Sequence, residues 1–341
     1  MTLLIIIVAT LAIFAFYHLA TVMQQTSVLK GVHEEQVTEK DNWINAKLMF
    51  AFLIFIVGFF IWQILEYRHV ILPVSASEHG NEIDMLWDFN MYIVIAVFIL
   101  TNAVLFWFAS KYYHKKGNKA TFFAHSTKLE MVWTIIPAIV LSVLIIYGLR
   151  TWNNITTPAS KDALTIELYA KQFDWTARYA GNDGKLGKTN YKLITDVNPL
   201  ALDENDKASM DDILTRGEFH VPVGKEISFV FRSRDVIHSA FMPHFRAQMN
   251  CVPGMETYFH FKPIITTAEM RKKLNKETFD YVLLCNKICG ASHFNMQMNI
   301  IVESEADYKI WLAKQKVFGA KEVVPEATAA TDTTKNIVAL K

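Results

Sequence analysis

Four long apolar runs fill the first 150 residues of this chain, at about Leu3–Val22, Leu48–Leu65, Met91–Ser110 and Met131–Leu149. Each run is close to the roughly 20 residues that an α-helix needs to cross a bilayer. Tryptophans stand at or near their ends, where amphipathic rings prefer the membrane–water interface: Trp62, Trp107, Trp133 and Trp152. The sequence therefore predicts four transmembrane helices, and only the part beyond them is left for a soluble domain.

Positive charge is concentrated in one connecting segment. The stretch between the third and fourth runs holds five lysines: Lys111, Lys115, Lys116, Lys119 and Lys128. Because loops rich in Lys and Arg stay in the cytoplasm, we expect this stretch inside the cell. The loop Glu66–Asn90 has Arg68 as its only firm cation against five acidic residues and suits the outer side. The N-terminus and the part beyond the fourth run are then expected outside.

The first run could also be a signal peptide. It has no positively charged region before its apolar core and no A-x-A-like cleavage site, and it is long for a signal. Cleavage of a signal would also require export of the Lys30–Lys47 loop, which would reverse the membrane orientation of the later helices. We therefore expect a retained helix.

Beyond Arg150 the pattern changes from long apolar runs to alternation. Leu164, Ile166 and Leu168 fall on one face, with Thr165, Glu167 and Tyr169 on the other, which predicts a strand with one buried face. Ile227–Phe231 and Met296–Ile300 repeat the pattern. Several short strands with turns between them are typical of a β-sandwich.

Two stretches of this second half lack the alternation. Asn182–Gly217 is polar, and we expect it to be an insertion that runs over the surface. Residues 316–341 are rich in Ala, Thr and Val with scattered charge, which is typical of a flexible tail.

Charge and cysteine content exclude some classes of protein. The formal net charge is +1, whereas a nucleic-acid-binding protein would carry a basic excess. Three cysteines are too few for a disulfide scaffold. We expect Cys251 to be a small buried residue rather than a reactive thiol.

The other two cysteines lie in a short stretch that is rich in metal ligands. Cys285, Cys289, His293 and Met296 occur within twelve residues, and His238 stands upstream at the end of a strand-like run. Thiolate, imidazole and thioether are the soft or borderline ligands that select copper. Each residue alone would more often be an ordinary core residue, but five in this spacing indicate a metal site.

The ligand count favours two metals. A mononuclear electron-transfer copper site uses two His, one Cys and a weak axial Met, so a second Cys is one thiolate too many. Two thiolates can instead bridge two coppers, with His238 and His293 as terminal ligands and Met296 as a weak ligand. Zinc is the main rival, although structural zinc sites usually match one Cys pair with a second ligand pair and use no Met.

These residues resemble the CuA-bearing subunit II of heme-copper cytochrome c oxidases. The similarity also takes in Lys128–Pro137, Asp235–His238 and Val252–Gly254, with a weaker match at Gln172–Trp175, and it covers roughly residues 90 to 315. It implies α-helical transmembrane segments followed by an all-β, cupredoxin-like Greek-key sandwich. The expected domains are an additional helix pair at 1–66, a transmembrane hairpin at 88–150 and a periplasmic CuA domain at 151–315 with an insertion at about 182–217.

The resemblance also implies a function. A subunit of this kind accepts electrons from a c-type cytochrome at CuA and passes them to the heme of subunit I, where heme and CuB reduce oxygen to water with proton translocation. The implied partners are subunits I and III, a cytochrome c donor or a heme-c-bearing complex, and the lipid of a bacterial inner membrane. No Cys-x-x-Cys-His motif occurs, so the heme of the donor belongs to another protein. The additional helix pair is expected to give extra anchoring or a docking surface.

Four further residues receive roles by resemblance. The backbone carbonyl of Lys287 is an expected copper ligand. Magnesium is in doubt, because the family usually has Glu at this position and a Lys side chain cannot coordinate magnesium. Glu130 is expected to admit protons at the cytoplasmic end of the fourth span, although a carboxylate there is also favoured by the helix dipole. Phe173 and Trp175 mark the expected electron-entry region, with a core role favoured for Trp175.

Three alternatives remain at this point. A quinol-oxidising relative would lack the copper ligands, which are intact here. A CuA-bearing subunit of a nitric oxide reductase would carry the same ligands. A membrane-anchored copper carrier would need an exposed, exchangeable site, whereas aromatic neighbours such as Phe241 and Phe294 are expected to shield this one.

Overall fold

The computed structural model describes residues 2–29 and 37–319. Four long helices form the first part: α1 Thr2–Leu29, α2 Glu39–Ile71, α3 Glu78–Lys111 and α4 Thr127–Thr156. Each contains one predicted span, and all four are long and apolar enough to cross a membrane. Part of the predicted Lys30–Lys47 loop and nearly all of the predicted tail lie outside the described residues.

The chain divides into two compact units. The first comprises Met1–Ile71 and Asn90–Ile136. Within it, aromatic rings of α2 contact rings of α3 in three pairs: Phe50 with Trp107, Phe52 with Phe106 and Phe60 with Phe98. Residue numbers rise along α2 as they fall along α3, so the two helices pack antiparallel. Most other side chains of these helices are exposed, as expected for surfaces that face lipid or another protein.

The second unit comprises Leu72–Phe89 and the chain from Pro137 onward, and it contains two five-stranded sheets. The first sheet has the strand order β3-β2-β1-β5-β8 and the second the order β4-β10-β9-β6-β7. Two neighbouring pairs are parallel, β1 with β5 and β4 with β10, and the others are antiparallel. The strands are β1 Leu164–Lys171, β2 Asp174–Tyr179, β3 Ile213–Arg216, β4 Glu218–Pro222, β5 Ile227–Ser233, β6 His238–Met242, β7 Ala247–Cys251, β8 Thr257–Phe261, β9 Tyr281–Cys285 and β10 Gln297–Glu303.

One hydrophobic core draws on both sheets. Its largest fully buried members include Trp175 on β2, Phe219 on β4, Phe229 on β5 and Tyr281 on β9. Fully burying an aliphatic or aromatic side chain contributes about 1.5–3 kcal/mol, so this core is the main stabilising element of the unit. Three short helices lie at its edges: α5 Lys207–Met210, α6 Thr267–Leu274 and α7 Glu305–Leu312. The predicted β-sandwich is confirmed.

Strand β1 differs from its prediction. Glu167 and Tyr169, expected on an exposed face, are both buried. The segment predicted as a surface excursion, 182–217, covers that face: its Leu200 and Leu202 pack with Tyr169, and its end forms β3. The expectation of a surface excursion is therefore wrong, because this segment adds a strand and a second small core to the sandwich.

The N-terminal end of α3 is fixed to the sandwich. Arg246, in the left-handed region at φ 51°, donates to both carboxylate oxygens of Asp84 and to the carbonyl of Pro73. Nearby, the Ser77 hydroxyl donates to the Phe245 carbonyl over 2.7 Å. Bidentate Arg–carboxylate pairs are among the strong hydrogen-bonded pairs, so this corner is well defined.

Candidate metal centre

Three strands of the second sheet place the predicted ligands. β9 ends at Cys285, β6 begins at His238, and β10 begins directly after Met296. The connecting loop 286–296 is closed at its base, where the Cys285 N–H donates to the Met296 carbonyl over 3.0 Å. The Asn286 N–H donates to the Ser239 carbonyl over 2.9 Å, which joins the loop to β6. The ligand loop therefore starts and ends on a paired sheet.

All six predicted donor atoms lie together. The Cys285 and Cys289 sulfurs are 3.9 Å apart, too far for a disulfide, whose sulfurs are about 2.05 Å apart. Cys285 Sγ is 3.7 Å from His238 Nδ1 and 3.2 Å from the Lys287 carbonyl oxygen. Cys289 Sγ is 3.5 Å from His293 Nδ1 and 3.8 Å from Met296 Sδ. Each thiol thus has its own imidazole and its own weaker donor.

The chemistry and the spacing of these donor atoms suit copper. The ligand atoms of His238, Cys285 and Cys289 lie within 4.8 Å of one another, and these residues are buried. Soft sulfur and imidazole donors in an enclosed cluster suit copper, and the division into two halves suits a dinuclear site with shared thiolates. A site for hard cations would need a set of oxygen donors instead.

Burial affects the protonation of the Cys289 thiol. It raises the pKa of the Cys289 thiol to about 11, with the neighbouring Cys285 as a second cause. The thiol therefore carries a proton at neutral pH until a metal displaces it. Cys251, as predicted, is buried. It lies opposite His238 in the register of β6 and β7, and burial raises its pKa to about 12.

Asp235 is a contact of the site to which sequence reasoning assigned no role. Its Oδ1 lies 2.8 Å from His238 Nε2, so the ring is held from behind while Nδ1 faces Cys285. Burial opposes ionisation of Asp235, but hydrogen bonds from the Gln172 N–H, His238 and the Val236 N–H outweigh it and lower its pKa. Carboxylates in this position orient metal-binding imidazoles. The three-residue spacing in Asp235–His238 was the available signal.

The predicted electron-entry residues take two different positions. Trp175 is fully buried, with its ring centroid 6.3 Å from that of His238, so it is a core residue beside a ligand. Phe173 is half-buried in the turn between β1 and β2 and lies against Gly290 of the ligand loop. In the same turn the Gln172 amide donates to the Cys289 carbonyl, a contact that sequence reasoning missed.

The rim of the site is apolar and exposed. Phe294 and Ile288 are each 87% exposed, and the Lys287 side chain is exposed as well. The expectation that Phe294 shields the metal is wrong, because so exposed a side chain covers little of the cluster. Phe241 is partly buried.

Glu130 belongs to the helical part of the chain. It lies in the first turn of α4, its side chain is exposed, and its backbone N–H donates to the Ser126 carbonyl over 3.0 Å. It is not a member of the ligand cluster.

Comparison with known families gives two matches along the chain. Residues 65–151 match the description "Cytochrome C oxidase subunit II, transmembrane domain". Residues 164–305 match "Cytochrome C oxidase subunit II, periplasmic domain". Together they take in α3, most of α4, both sheets and every member of the ligand cluster.

Individual relatives carry the same description. The chain is 36% identical over 233 residues to the alternative cytochrome c oxidase subunit 2 of Bradyrhizobium diazoefficiens, a match that covers 67% of this chain and 79% of the relative. It is 26% identical over 285 residues to cytochrome c oxidase subunit 2 of Thermostichus vulcanus, covering 76% and 83%. Among solved structures, it is 23% identical to the periplasmic domain of subunit II of cytochrome oxidase from Bradyrhizobium japonicum, with a TM-score of 0.31 and coverage of 46% of this chain and 95% of that one.

Proposed function

The chain belongs to the cytochrome c oxidase subunit II family, and from this premise we propose that its sandwich is an electron-entry domain with a dinuclear CuA site. As a subunit II it is a membrane protein and part of an oxidoreductase complex of the heme-copper type. In this proposal, electrons arrive from a c-type cytochrome and leave to the heme of subunit I. Oxygen is reduced to water there.

One observation carries the proposal: two thiols 3.9 Å apart, each with a separate imidazole and a separate weak donor. His238, Cys285 and the Lys287 carbonyl would hold one copper. Cys289, His293 and Met296 complete the set for the second, with both thiolates shared. A copper pair held by these residues would supply a centre that shares one electron between two metals and so changes little in geometry on reduction.

The protein supplies rigidity and exclusion of water. Cys285 and Met296 are tied to each other through the sheet, and His238 is held by Asp235 over 2.8 Å. Met296 is 1% exposed and His238 is fully buried, so the inner side of the site is dry. Fixed ligands in a dry shell lower the reorganisation that accompanies electron transfer.

The charge pattern and the family support a proposal for the membrane and the partners. We place the chain in a bacterial inner membrane, with the N-terminus and the copper domain on the periplasmic side, because the lysine-rich segment between α3 and α4 suits the cytoplasm. Partners are subunits I and III, with heme and CuB in subunit I, and a cytochrome c or heme-c-bearing donor. Phe173 and the exposed ring of Phe294 lie near the ligands and are candidates for contact with a donor or another subunit.

Two further assignments depend on single residues. Glu130 is proposed to admit protons at the start of α4, where it is exposed. Magnesium is not expected at Lys287, since its ammonium group cannot bind a hard cation.

The alternatives are less well supported. A copper carrier needs accessible ligands, whereas His238, Cys285, Cys289 and Met296 are all buried. A nitric oxide reductase subunit would share the copper site, so the assembled complex must be tested for consumption of oxygen against nitric oxide.

The test is to purify the full chain in detergent, load it with copper, and measure metal content and electron paramagnetic resonance. We expect two coppers per chain and a signal from one electron shared equally by both. A single-copper signal, or zinc bound in preference to copper, would contradict the proposal.

A further inference from the structure

The turn between β1 and β2 touches the ligand cluster on two sides. The turn comprises residues 171–174 and lies far from the ligand loop in sequence. It meets both the loop that carries Cys289 and the segment that precedes His238. One residue of the turn, Gln172, makes both contacts.

The first contact uses the Gln172 side chain. Its amide Nε2 donates to the backbone carbonyl of Cys289, the residue that carries the second thiol. The approach is so close that a Cβ on the next residue, Gly290, would stand 2.9 Å from the Gln172 amide and 2.8 Å from the Phe173 ring. Gly290 also has φ +142°, a conformation that L side chains rarely adopt. A side chain at position 290 would therefore strain the backbone and displace the ends of the Gln172 and Phe173 side chains.

The second contact uses the Gln172 backbone. Its N–H donates to Asp235 Oδ2 over 2.8 Å, and the other oxygen of the same carboxylate lies 2.8 Å from His238 Nε2. The adjacent Arg234 N–H donates to the Ala170 carbonyl over 2.9 Å, which joins the two segments at a further point. Asp235 is thus held between the turn and the imidazole.

These contacts belong to different halves of the cluster. His238 accompanies the Cys285 thiol, whereas Cys289 accompanies His293 and Met296. Gln172 itself touches no donor atom, so it acts through its neighbours. We propose that Gln172 is a positioning residue that fixes one ligand in each half of the cluster, Cys289 through its side-chain amide and His238 through Asp235. The inference deepens the proposed copper function and rests on it.

Two substitutions at Gln172 remove the side-chain contact with Cys289 and keep the backbone contact with Asp235. Gln172→Glu keeps the length of the side chain but places a carboxylate against the Cys289 carbonyl. Gln172→Leu removes the donor without adding charge. Both leave the backbone N–H that donates to Asp235. Lys171→Gln is the matched control, since the Lys171 side chain makes no hydrogen bond or ion pair within the described residues.

The experiment uses the full chain in detergent and three readouts. Copper release to a chelator should be about tenfold faster in both Gln172 variants, because partners behind metal ligands typically change metal affinity by 10–100-fold. The copper hyperfine splitting should change relative to wild type. In the copper-free chain, deuterium should enter the segment 285–296 faster. Lys171→Gln should match wild type in all three.

The outcomes distinguish this inference from the copper proposal. If wild type gives no shared-electron signal, the proposed function fails first. If wild type gives the signal and both variants release copper and exchange deuterium at the wild-type rate, the Gln172 amide does not position Cys289 and the inference, which needs both contacts, is overturned. Should both variants fail to fold, Gln172→Asn, whose amide stops one methylene short of the carbonyl, decides through the same exchange measurement.

Discussion

At the scale of single residues, the two thiols of the cluster differ from the third cysteine in the groups that contact them. Cys285 and Cys289 each lie within 4 Å of an imidazole nitrogen, whereas Cys251 is a core residue on β7 outside the ligand set. We expect Cys289→Ser to abolish the shared-electron signal, because a hydroxyl is a poor bridge between coppers. Cys251→Ala should retain it. Electron paramagnetic resonance of the copper-loaded chain checks both, and a retained signal in Cys289→Ser would contradict the bridging role.

A second prediction at this scale concerns Glu130. If it admits protons, Glu130→Gln in the assembled oxidase should slow oxygen consumption and proton pumping several-fold, since the amide cannot carry a proton in transit. Lys128→Gln, at the same exposed end of α4, is the control. Oxygen electrode and pH traces with reconstituted vesicles give the measurement. Unchanged turnover and pumping in Glu130→Gln would remove this role.

The ligands could be predicted from sequence because five of them are chemically distinctive and four fall within twelve residues. The residues that orient them could not. Gln172 reaches Cys289 across 117 positions of sequence, and only the pairing of β1 with β2 and the loop closure bring them together. The exposure of Phe294 was predicted wrongly for a related reason. The sequence alone does not show whether an aromatic residue beside a ligand is buried or exposed.

At the scale of elements, strand β1 depends on a buried ionic network. Glu167 on β1 contacts Arg178 on β2 and Arg232 on β5, and Arg178 Nη1 lies 3.0 Å from Asp212, just before β3. All but Arg232 are almost completely buried. Burying charge is costly, and these ion pairs offset only part of that cost where the 182–217 segment meets the sheet.

Asp212 gives this element a pH dependence. Burial raises its pKa to about 6, although Arg178 and the Gly187 N–H act in the opposite direction. A carboxyl with a raised pKa stabilises the fold while protonated, so stability should fall as pH rises from about 4 through about 6. Relative to Asp212→Asn, the wild type should lose about 3 kcal/mol across this window. Thermal unfolding of the full chain at several pH values measures it.

The exposed Asp196 of the same segment provides the control for that experiment. Asp196→Asn should follow the wild-type pH profile. Parallel profiles for wild type and Asp212→Asn would mean that folding does not shift the pKa of Asp212, and the assigned pKa would be wrong.

Helices and strands were predictable where one physical constraint dominated. Bilayer thickness fixes the length of the four apolar runs, and alternation marks strands such as β5, whose Ile227, Phe229 and Phe231 are buried. The packing of the 182–217 segment was not predicted, because it depends on ion pairs and on a few apolar residues that follow no periodic pattern. Leu200 and Leu202 are among these apolar residues. Glu167 looked like a solvent-facing residue for the same reason.

At the scale of the whole molecule, the proposed orientation can be tested chemically. All three native cysteines are buried, so introduced cysteines dominate labelling by an impermeant maleimide. In intact cells, Lys185→Cys in the sandwich should react, because outer loops face the reagent. Asn118→Cys, between α3 and α4, should react only after the membrane is opened. Both positions are exposed. The reverse labelling pattern would mean that the chain has the opposite orientation in the membrane.

The backbone carbonyl and the side chain of Lys287 have different surroundings. Its carbonyl lies 3.2 Å from the Cys285 sulfur, while its side chain is exposed. Every amino acid carries the same carbonyl, so natural selection cannot alter this donor by changing the residue. The side chain, in contrast, can be replaced without changing the donor atom offered to the metal. Position 287 is therefore a place where the chemistry of the exposed surface can change over evolutionary time while the proposed copper site inherits the same oxygen.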